Sequence, residues 1–546
     1  MLVMKRLFEE NVENQYDVIV IGGGISGVSV AYEAATRGLK VALFEKGDFG
    51  EATSAATSKL IHGGLRYLKN MEFGLVRESL TERKVLENIA PNFVYPLPFM
   101  IPTYSNFKNN KLILFIGMLL YDLLSFDKAF TWDKNKRLPF HKSISRKRTR
   151  QFEPCVMDMN LTGSSIYYDC QNINPERLTL GILKSAMANG AKAANYAMVK
   201  SFLQNDNKVI GVKVEDLINN TQYDIKGSVI INCTGPWTDI VLKSGNNQEK
   251  INHHIKRSEG IHIITKKLCN RHAVLMMTKE GKHIMLIPWR GHSLIGTTDK
   301  EYNGNPDDYK VTKESILGLL DQFNHNFGTE KLKYEDIQFA YGGMRPLVDK
   351  QVEASYESSR KYEIFDHAKD GLDGLITVEG GKYTTSRKLA SHVLKKVSKK
   401  LKRNLGKSLT NKRYLVDSDI LNMESFIRQL VLRYPMFSEA TINYIGRNYG
   451  LQCHTIFRLA MYDKPLSQVL THDGEILAEV VYVIKKEMAY TLDDILFRRT
   501  GIGTLGYPGE DAFNKVVETA KHYLNWDEQR TQFEIDRVMK RFKLPE

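Results

Sequence analysis

The chain has 546 residues, 42% hydrophobic and 26% charged, with a formal net charge of +14. This is an ordinary globular composition with an ample core and a length that suits about three domains. The five cysteines, Cys155, Cys170, Cys233, Cys269 and Cys453, have neither metal-site nor redox-motif spacing, which excludes a disulfide framework and points to neutral thiols in a reducing compartment, with no metal site.

The first residues, MLVMKRLFEENVENQ, carry several acids and no apolar run of signal length, so they read as neither a secretory signal nor a transit peptide. Residues 16–45 carry the most information. An apolar strand runs into Gly22, Gly24 and Gly27, a helix pattern with Ala31, Ala34 and Ala35 on one side follows, and a second apolar strand after Gly38 ends at Glu45. Gly22 allows a tight turn, Gly24 admits a pyrophosphate, and Gly27 lets helix and strand pack closely. The helix N-terminus, with Ile25 and Ser26, turns its N–H groups and positive dipole end toward phosphates. Glu45, followed by Lys46, accepts hydrogen bonds from a ribose. A bound dinucleotide is expected.

The segment SKLIHGGLRYL (58–68) gathers His62, Gly63, Gly64, Arg66 and Tyr67. Paired glycines let backbone approach a ring or substrate. His62 is a base that titrates near neutrality, and Arg66 a planar fork for an anion. Residues 112–124, LILFIGMLLYDLL, are too short to span a bilayer and contain Asp122, so they fit a buried or interfacial helix. The run KSISRKRTR (142–150) reads as an exposed loop. It has no interleaved aromatic residue, which argues against nucleic acid as the partner.

Further along, SVIINCTGPWTD (228–239) is again a strand ending in a turn, at Thr234, Gly235 and Pro236. GIHIIT, HIMLIPW and HSLIGTTD predict an antiparallel sheet roofing a ligand cavity. GLITVEGGKYTTSRKLASHVLKKV returns to strand, turn and helix, with Gly380, Gly381 and Lys382 at the turn. A second helix N-terminus without a second nucleotide motif suits the anionic edge of a reduced flavin and tilts the cofactor to FAD. Residues 387–403 form a basic amphipathic pattern that suits either an anionic lipid surface or a core with a solvated basic face. Beyond about residue 405 the periodicity becomes helical. The expected fold is α/β: an FAD-binding Rossmann-like domain with an inserted antiparallel-sheet substrate domain and a C-terminal α-helical domain. Residues 1–100 begin the FAD-binding domain, 101–345 mix FAD-binding and substrate segments, 346–404 hold a substrate strand and then return to the FAD-binding domain, and 405–546 are helical.

YDVIVIGGGISG, SKLIHGGLRYL, IPWRGHSLIGTTD, YGGMRPL, GGKYTTSRKLA and LFRRTGIGT resemble the FAD-dependent, quinone-linked glycerol-3-phosphate dehydrogenases, relatives of D-amino acid oxidase and glycine oxidase. The resemblance runs in order from about residue 16 to about residue 505. It implies oxidation of sn-glycerol 3-phosphate to dihydroxyacetone phosphate, with electrons passed through FAD to membrane quinone. It further implies a homodimer held peripherally on the inner, cytoplasmic face of the plasma membrane. On matching positions it implies Arg66, Tyr67, Arg345, Arg360 and Lys382 as substrate contacts, Arg360 on the weaker match SSRKYEI. Bidentate arginines and lysine suit a phosphate dianion. Loss of the secondary hydroxyl proton needs a base, for which His62 stands first and His262 second, with Arg345 clamping the reacting end. For FAD the resemblance adds Thr53, Thr57, Ser58, Lys59, Leu60, Thr234, Gly235 and Thr384 to Gly381 and Lys382. A glycerol-3-phosphate oxidase shares these motifs but usually carries an extra substrate-domain insertion, and no long extra segment is present here.

Overall fold

The structure, a computed structural model, describes residues 3–9, 13–105, 111–244, 254–278, 283–347 and 361–546. The strand Gln15–Ile21 lies between Thr221–Asn232 and Val41–Phe44, all parallel. Lys192–Ala194 and Leu375–Gly380 extend this sheet on its two sides, again parallel, and Tyr362–Asp366 closes one edge antiparallel. Val18, Ile19 and Val20 have no exposed surface, as expected of a central strand covered on both faces. Alternation decides which face each residue serves. Val18 and Val20 meet the helices Ile25–Ala35 and Ser386–Lys400, whereas Ile19 and Ile21 meet Phe202, Val212 and Val214 of the hairpin Ala197–Asn205 and Lys208–Asp216.

Among the described residues the second sheet has ten strands. Lys256–Thr265, His292–Gly296, His283–Trp289 and Ala273–Met277 are antiparallel neighbours, as the strand-rich segments predict. Val94–Tyr104, Leu161–Asn172 and Leu60–Ile61 continue it, so this sheet already draws on residues before 100. Ile337–Leu347 flanks the other side of Lys256–Thr265. The helix Lys313–Asn326 buries Ile316, Leu319 and Phe323 against the sheet residues Ile261, Ile263 and Ile295.

Residues 405–422 contain no helix; Leu415 N donates to Ile89 O at 2.8 Å and Val416 N to Ser185 Oγ at 2.9 Å, which ties this stretch to the first domain. Helices then run from Met423–Arg433 to Glu528–Phe542. Their core is continuous with the second sheet, where the Phe497 and Phe339 rings lie 5.9 Å apart. A buried ion pair, Arg177 Nη1 to Glu487 Oε2 at 2.8 Å, joins the helices to the first domain.

One surface reading left open by the sequence is decided, and another changes. The basic pattern at 387–403 forms the helix Ser386–Lys400, but Leu389, Val393, Leu394 and Val397 are buried in the first domain's core, so its apolar face is not presented to lipid. The run 142–150 is not a loop. It forms the strand Lys142–Ser145, paired with Leu161–Asn172, and the helix Arg146–Phe152, capped by Ser145 Oγ, which accepts from Arg148 N at 3.4 Å. All five cysteines are free and buried, and burial raises every thiol pKa. Among the described residues no helix is long and apolar enough to cross a membrane, and no His, Cys, Asp and Glu cluster could hold a metal ion.

Candidate active site

The glycine turn is built by exclusion. Gly22 has φ +100°, and a Cβ there would sit 2.7 Å from Cys233 O. A Cβ on Gly27 would sit 1.9 Å from Gly22 O. Only glycine permits both the turn and the approach of the helix. The helix Ile25–Ala35 begins at Gly24 without a side chain of that residue capping it. Ser54 Oγ accepts from Ile25 N at 2.9 Å, and Ser26 is half-buried in the first turn. Glu45 Oε2 accepts from Gly23 N at 2.6 Å and Oε1 from Gly47 N at 2.9 Å. Burial raises the Glu45 pKa, and those two donors oppose the shift. A cradle of glycine backbone, a helix N-terminus and an acid at the next strand end fits a dinucleotide. Thr234 turns inward, donating to Asn232 Oδ1 at 2.6 Å, ahead of Gly235 at φ +56°. Lys46 turns away, pairing with Asp307 at 2.5 Å and lying 4.3 Å from the Trp237 ring centre.

Two glycine loops far apart in sequence meet beside this cradle. Lys382 Nζ lies 3.8 Å from the centre of the Tyr67 ring and donates to Ser79 Oγ at 3.1 Å. A Cβ on Gly64 would come within 3.3 Å of the same ammonium. Gly63 N donates to the Tyr121 hydroxyl at 3.1 Å, and His62, half-buried, immediately precedes it. The backbone of Arg66 opens the short helix Arg66–Lys69. On the other side, Gly381 leads to Lys382, the cap of a turn with no side-chain cap bond, and Thr384 is buried within that turn.

A third group comes from the second sheet. Across the ladder Arg345 faces Ser258 and Tyr341 faces His262. Gly260 lies between, and a Cβ on it would sit 1.9 Å from Arg345 Nη2, so the missing side chain makes the guanidinium's berth. Arg345 Nη2 donates to Thr297 Oγ1 at 2.6 Å, and Nη1 to Glu259 O and Thr298 O, each at 3.1 Å. His262 is 1% exposed, shares a 2.8 Å hydrogen bond with Ser58 Oγ through Nε2, and stacks on Tyr341 with centroids 5.1 Å apart. Its buried Nδ1 has no hydrogen-bond partner. Burial, then the Arg345 and Lys59 charges, push its pKa well below 6.5, so the ring is neutral.

The segment 53–60 stitches these groups together. Thr53 Oγ1 donates to Met344 O at 2.6 Å, Thr57 O accepts from Tyr341 Oη at 2.7 Å, and Lys59 Nζ pairs with Glu176 at 2.6 Å. Leu60 is buried at the start of Leu60–Ile61. Cations suited to an anion (Arg345, Lys382) and imidazoles suited to a proton (His62, His262) are thus carried on elements that also form or adjoin the cradle. Arg360 lies outside the described residues. Sequence reasoning missed Ser54, Ser79, Tyr121, Glu176 and Tyr341. Tyr121 could have been read from its place, with Asp122, as a polar interruption of an apolar helix; Ser79 and Glu176 give no local signal.

Fold and cradle together define an FAD-dependent oxidoreductase. Residues 17–385 match the family described as FAD dependent oxidoreductase, and residues 382–531 match the C-terminal domain of alpha-glycerophosphate oxidase. The chain is 33% identical over 547 residues to a glycerol-3-phosphate dehydrogenase of Synechocystis sp., covering 97% of each. It is 34% identical over 511 residues to the aerobic glycerol-3-phosphate dehydrogenase of Staphylococcus aureus, covering 90% of this chain and 88% of that one. The structure of glycerol-3-phosphate dehydrogenase from Bacillus halodurans complexed with FAD matches with a TM-score of 0.78 at 26% identity, covering 97% of this chain and 95% of that one. The chain belongs to the FAD-dependent glycerol-3-phosphate dehydrogenase family.

Proposed function

We propose that the chain oxidises sn-glycerol 3-phosphate to dihydroxyacetone phosphate and passes the electrons to membrane quinone. The observation that carries this reading is the meeting of Lys382 with Tyr67 and Gly64 beside the nucleotide cradle, in a chain of this family. FAD, when bound, supplies the hydride acceptor. The chain's own residues bind, orient and deprotonate. Lys382 and Arg345, with Arg66 and Arg360, hold the phosphate dianion, and Arg345 clamps the reacting end. His62 takes the hydroxyl proton; the neutral His262 is the second choice, its Nε2 already engaged by Ser58.

The same reading places the protein peripherally on the inner face of the plasma membrane. Its support is the helix Lys111–Leu124, whose outward residues Leu112, Ile113, Ile116, Leu119 and Leu123 are exposed, joined by exposed Phe126, Phe130 and Phe140. Phe115 lies 5.3 Å from the His141 ring, just before the exposed basic residues Lys142, Lys147 and Arg148. An apolar face bordered by basic residues suits an anionic lipid surface. A homodimer completes the reading and is checked by sedimentation.

The test is anaerobic reduction of the yellow protein by sn-glycerol 3-phosphate, followed by a soluble quinone or air. Bleaching reversed quickly by quinone and slowly by air supports the dehydrogenase. Fast recovery in air with stoichiometric peroxide supports an oxidase, and absence of bleaching overturns the substrate.

A further inference from the structure

The helical domain after residue 422 carries none of the groups just described, yet it reaches the loop of the FAD cradle at Asp48. Between Glu45 and Ser54, both cradle residues, the chain loops through Asp48, whose surface is fully buried. The Asp48 carboxylate accepts from Arg498 Nε at 2.6 Å, from Arg499 Nη1 and Nη2 at 2.6 and 2.7 Å, and from Asn195 Nδ2 at 2.9 Å. Arg498 and Arg499 are consecutive, and side chains of consecutive residues in an α-helix point about 100° apart. Here they end a π-helical turn, Asp494–Arg499, closed by Thr500 N donating to Ile495 O at 3.0 Å. That wider turn brings both guanidiniums to one carboxylate, and such turns gather at functional sites.

We propose that Arg498 and Arg499 are positioning residues for FAD: the helical domain clamps Asp48 and thereby holds Glu45 at the ribose. Apart from this cluster the loop is held by Lys46, which pairs with Asp307 at 2.5 Å, and by backbone bonds. Gly50 N donates to Gly23 O at 3.1 Å and Tyr196 N to Gly47 O at 2.8 Å, both local to the first sheet. The arginines are themselves anchored away from the loop, Arg498 by Asp494 at 2.5 Å and Arg499 by Glu487 O at 2.9 Å. Stability alone does not call for this arrangement, because well-packed apolar side chains commonly replace a buried ion cluster without loss. What apolar residues do not supply is a fixed direction for the carboxylate, and so for the backbone three residues from Glu45.

The test uses the full-length protein, with FAD titrated into the apoprotein by flavin fluorescence at a temperature where circular dichroism shows each variant folded. Asp48→Asn is expected to raise the FAD dissociation constant at least 10-fold. Arg499→Lys, which keeps the charge and loses the fork, is expected to raise it about 3-fold or more. The KM for sn-glycerol 3-phosphate of the FAD-loaded variants is expected to stay at the wild-type value. An FAD affinity equal to wild type in folded Arg499→Lys overturns the clamp, as does a weaker affinity accompanied by an equal rise in substrate KM. If Asp48→Asn does not fold, the lysine variant decides alone. A wild-type protein that reduces no flavin with sn-glycerol 3-phosphate would defeat the substrate reading and leave this one standing.

Discussion

The Tyr121 hydroxyl accepts from the Gly63 backbone N–H at 3.1 Å and donates to Asp169 Oδ2 at 2.5 Å. Tyr121 belongs to the helix that turns its apolar face outward, and Gly63 to the loop of the candidate base. Behind them Arg83 pairs with Asp169 in a fully buried contact. Replacing Tyr121 by Phe leaves Gly63 N only Asp169, at 3.4 Å. The expected outcome is a destabilisation of about 1–3 kcal/mol for the groups left unsatisfied. Displacement of His62 lowers kcat/KM roughly 10-fold. Denaturant unfolding and steady-state kinetics of the variant check both.

Arg345 sits where only a side-chain-free Gly260 admits it, so its fork has one orientation. Arg345→Lys keeps a charge but cannot reproduce bonds to Thr297, Glu259 and Thr298 together. Losing charge-assisted bonds of about 1.5–3 kcal/mol predicts a fall in kcat/KM for sn-glycerol 3-phosphate of roughly 10- to 100-fold. Unchanged kinetics would remove Arg345 from the site.

His262 links stability to pH. Its folded pKa lies well below 6.5 because the ring is buried and faces the Arg345 and Lys59 charges, whereas the unfolded chain titrates near 6.5. Below about pH 6.5 the unfolded state therefore binds the extra proton, and this histidine's contribution to stability falls as pH drops toward the folded pKa. The slope approaches about 1.4 kcal/mol per pH unit. The stability difference between wild type and His262→Gln, followed from pH 7.5 to 5, is expected to narrow at low pH if the wild type is the more stable at pH 7.5.

Ile116 projects from the outward face of Lys111–Leu124 and is 58% exposed. Ile116→Glu should leave the fold unchanged and weaken co-sedimentation with anionic phosphatidylglycerol vesicles roughly 10-fold or more, the worth of one buried isoleucine. Equal binding by the variant and wild type would move the lipid contact elsewhere.

Most of the nucleotide half was legible because each step there is local: a strand, a glycine turn, a helix and an acid within thirty residues. The antiparallel strands were legible as short strand-rich segments set close together. The helix Ser386–Lys400 was ambiguous because an amphipathic pattern specifies that one face is covered, not by what; the first domain's core covers it. The run 142–150 misled because charge density hid a serine cap and a strand register set by distant residues. Lys382 meeting Tyr67, and Arg345 lying over Gly260, depend on pairing between segments hundreds or tens of residues apart. Residue type alone announces the chemistry there, and only packing announces the neighbours.

The five thiols are chemically silent in the folded state, and they are distributed. Cys453 lies in the core of the helical domain, Cys170 and Cys233 in that of the nucleotide domain, and Cys155 and Cys269 between the second sheet and its covering helix. Among the described residues, three of the four cores thus hold their own alkylation reporter. Pulsed thiol labelling along a denaturant series, read peptide by peptide, would time the opening of the three cores separately. It would also tell whether the helical domain and the second sheet, which share one core, come apart together.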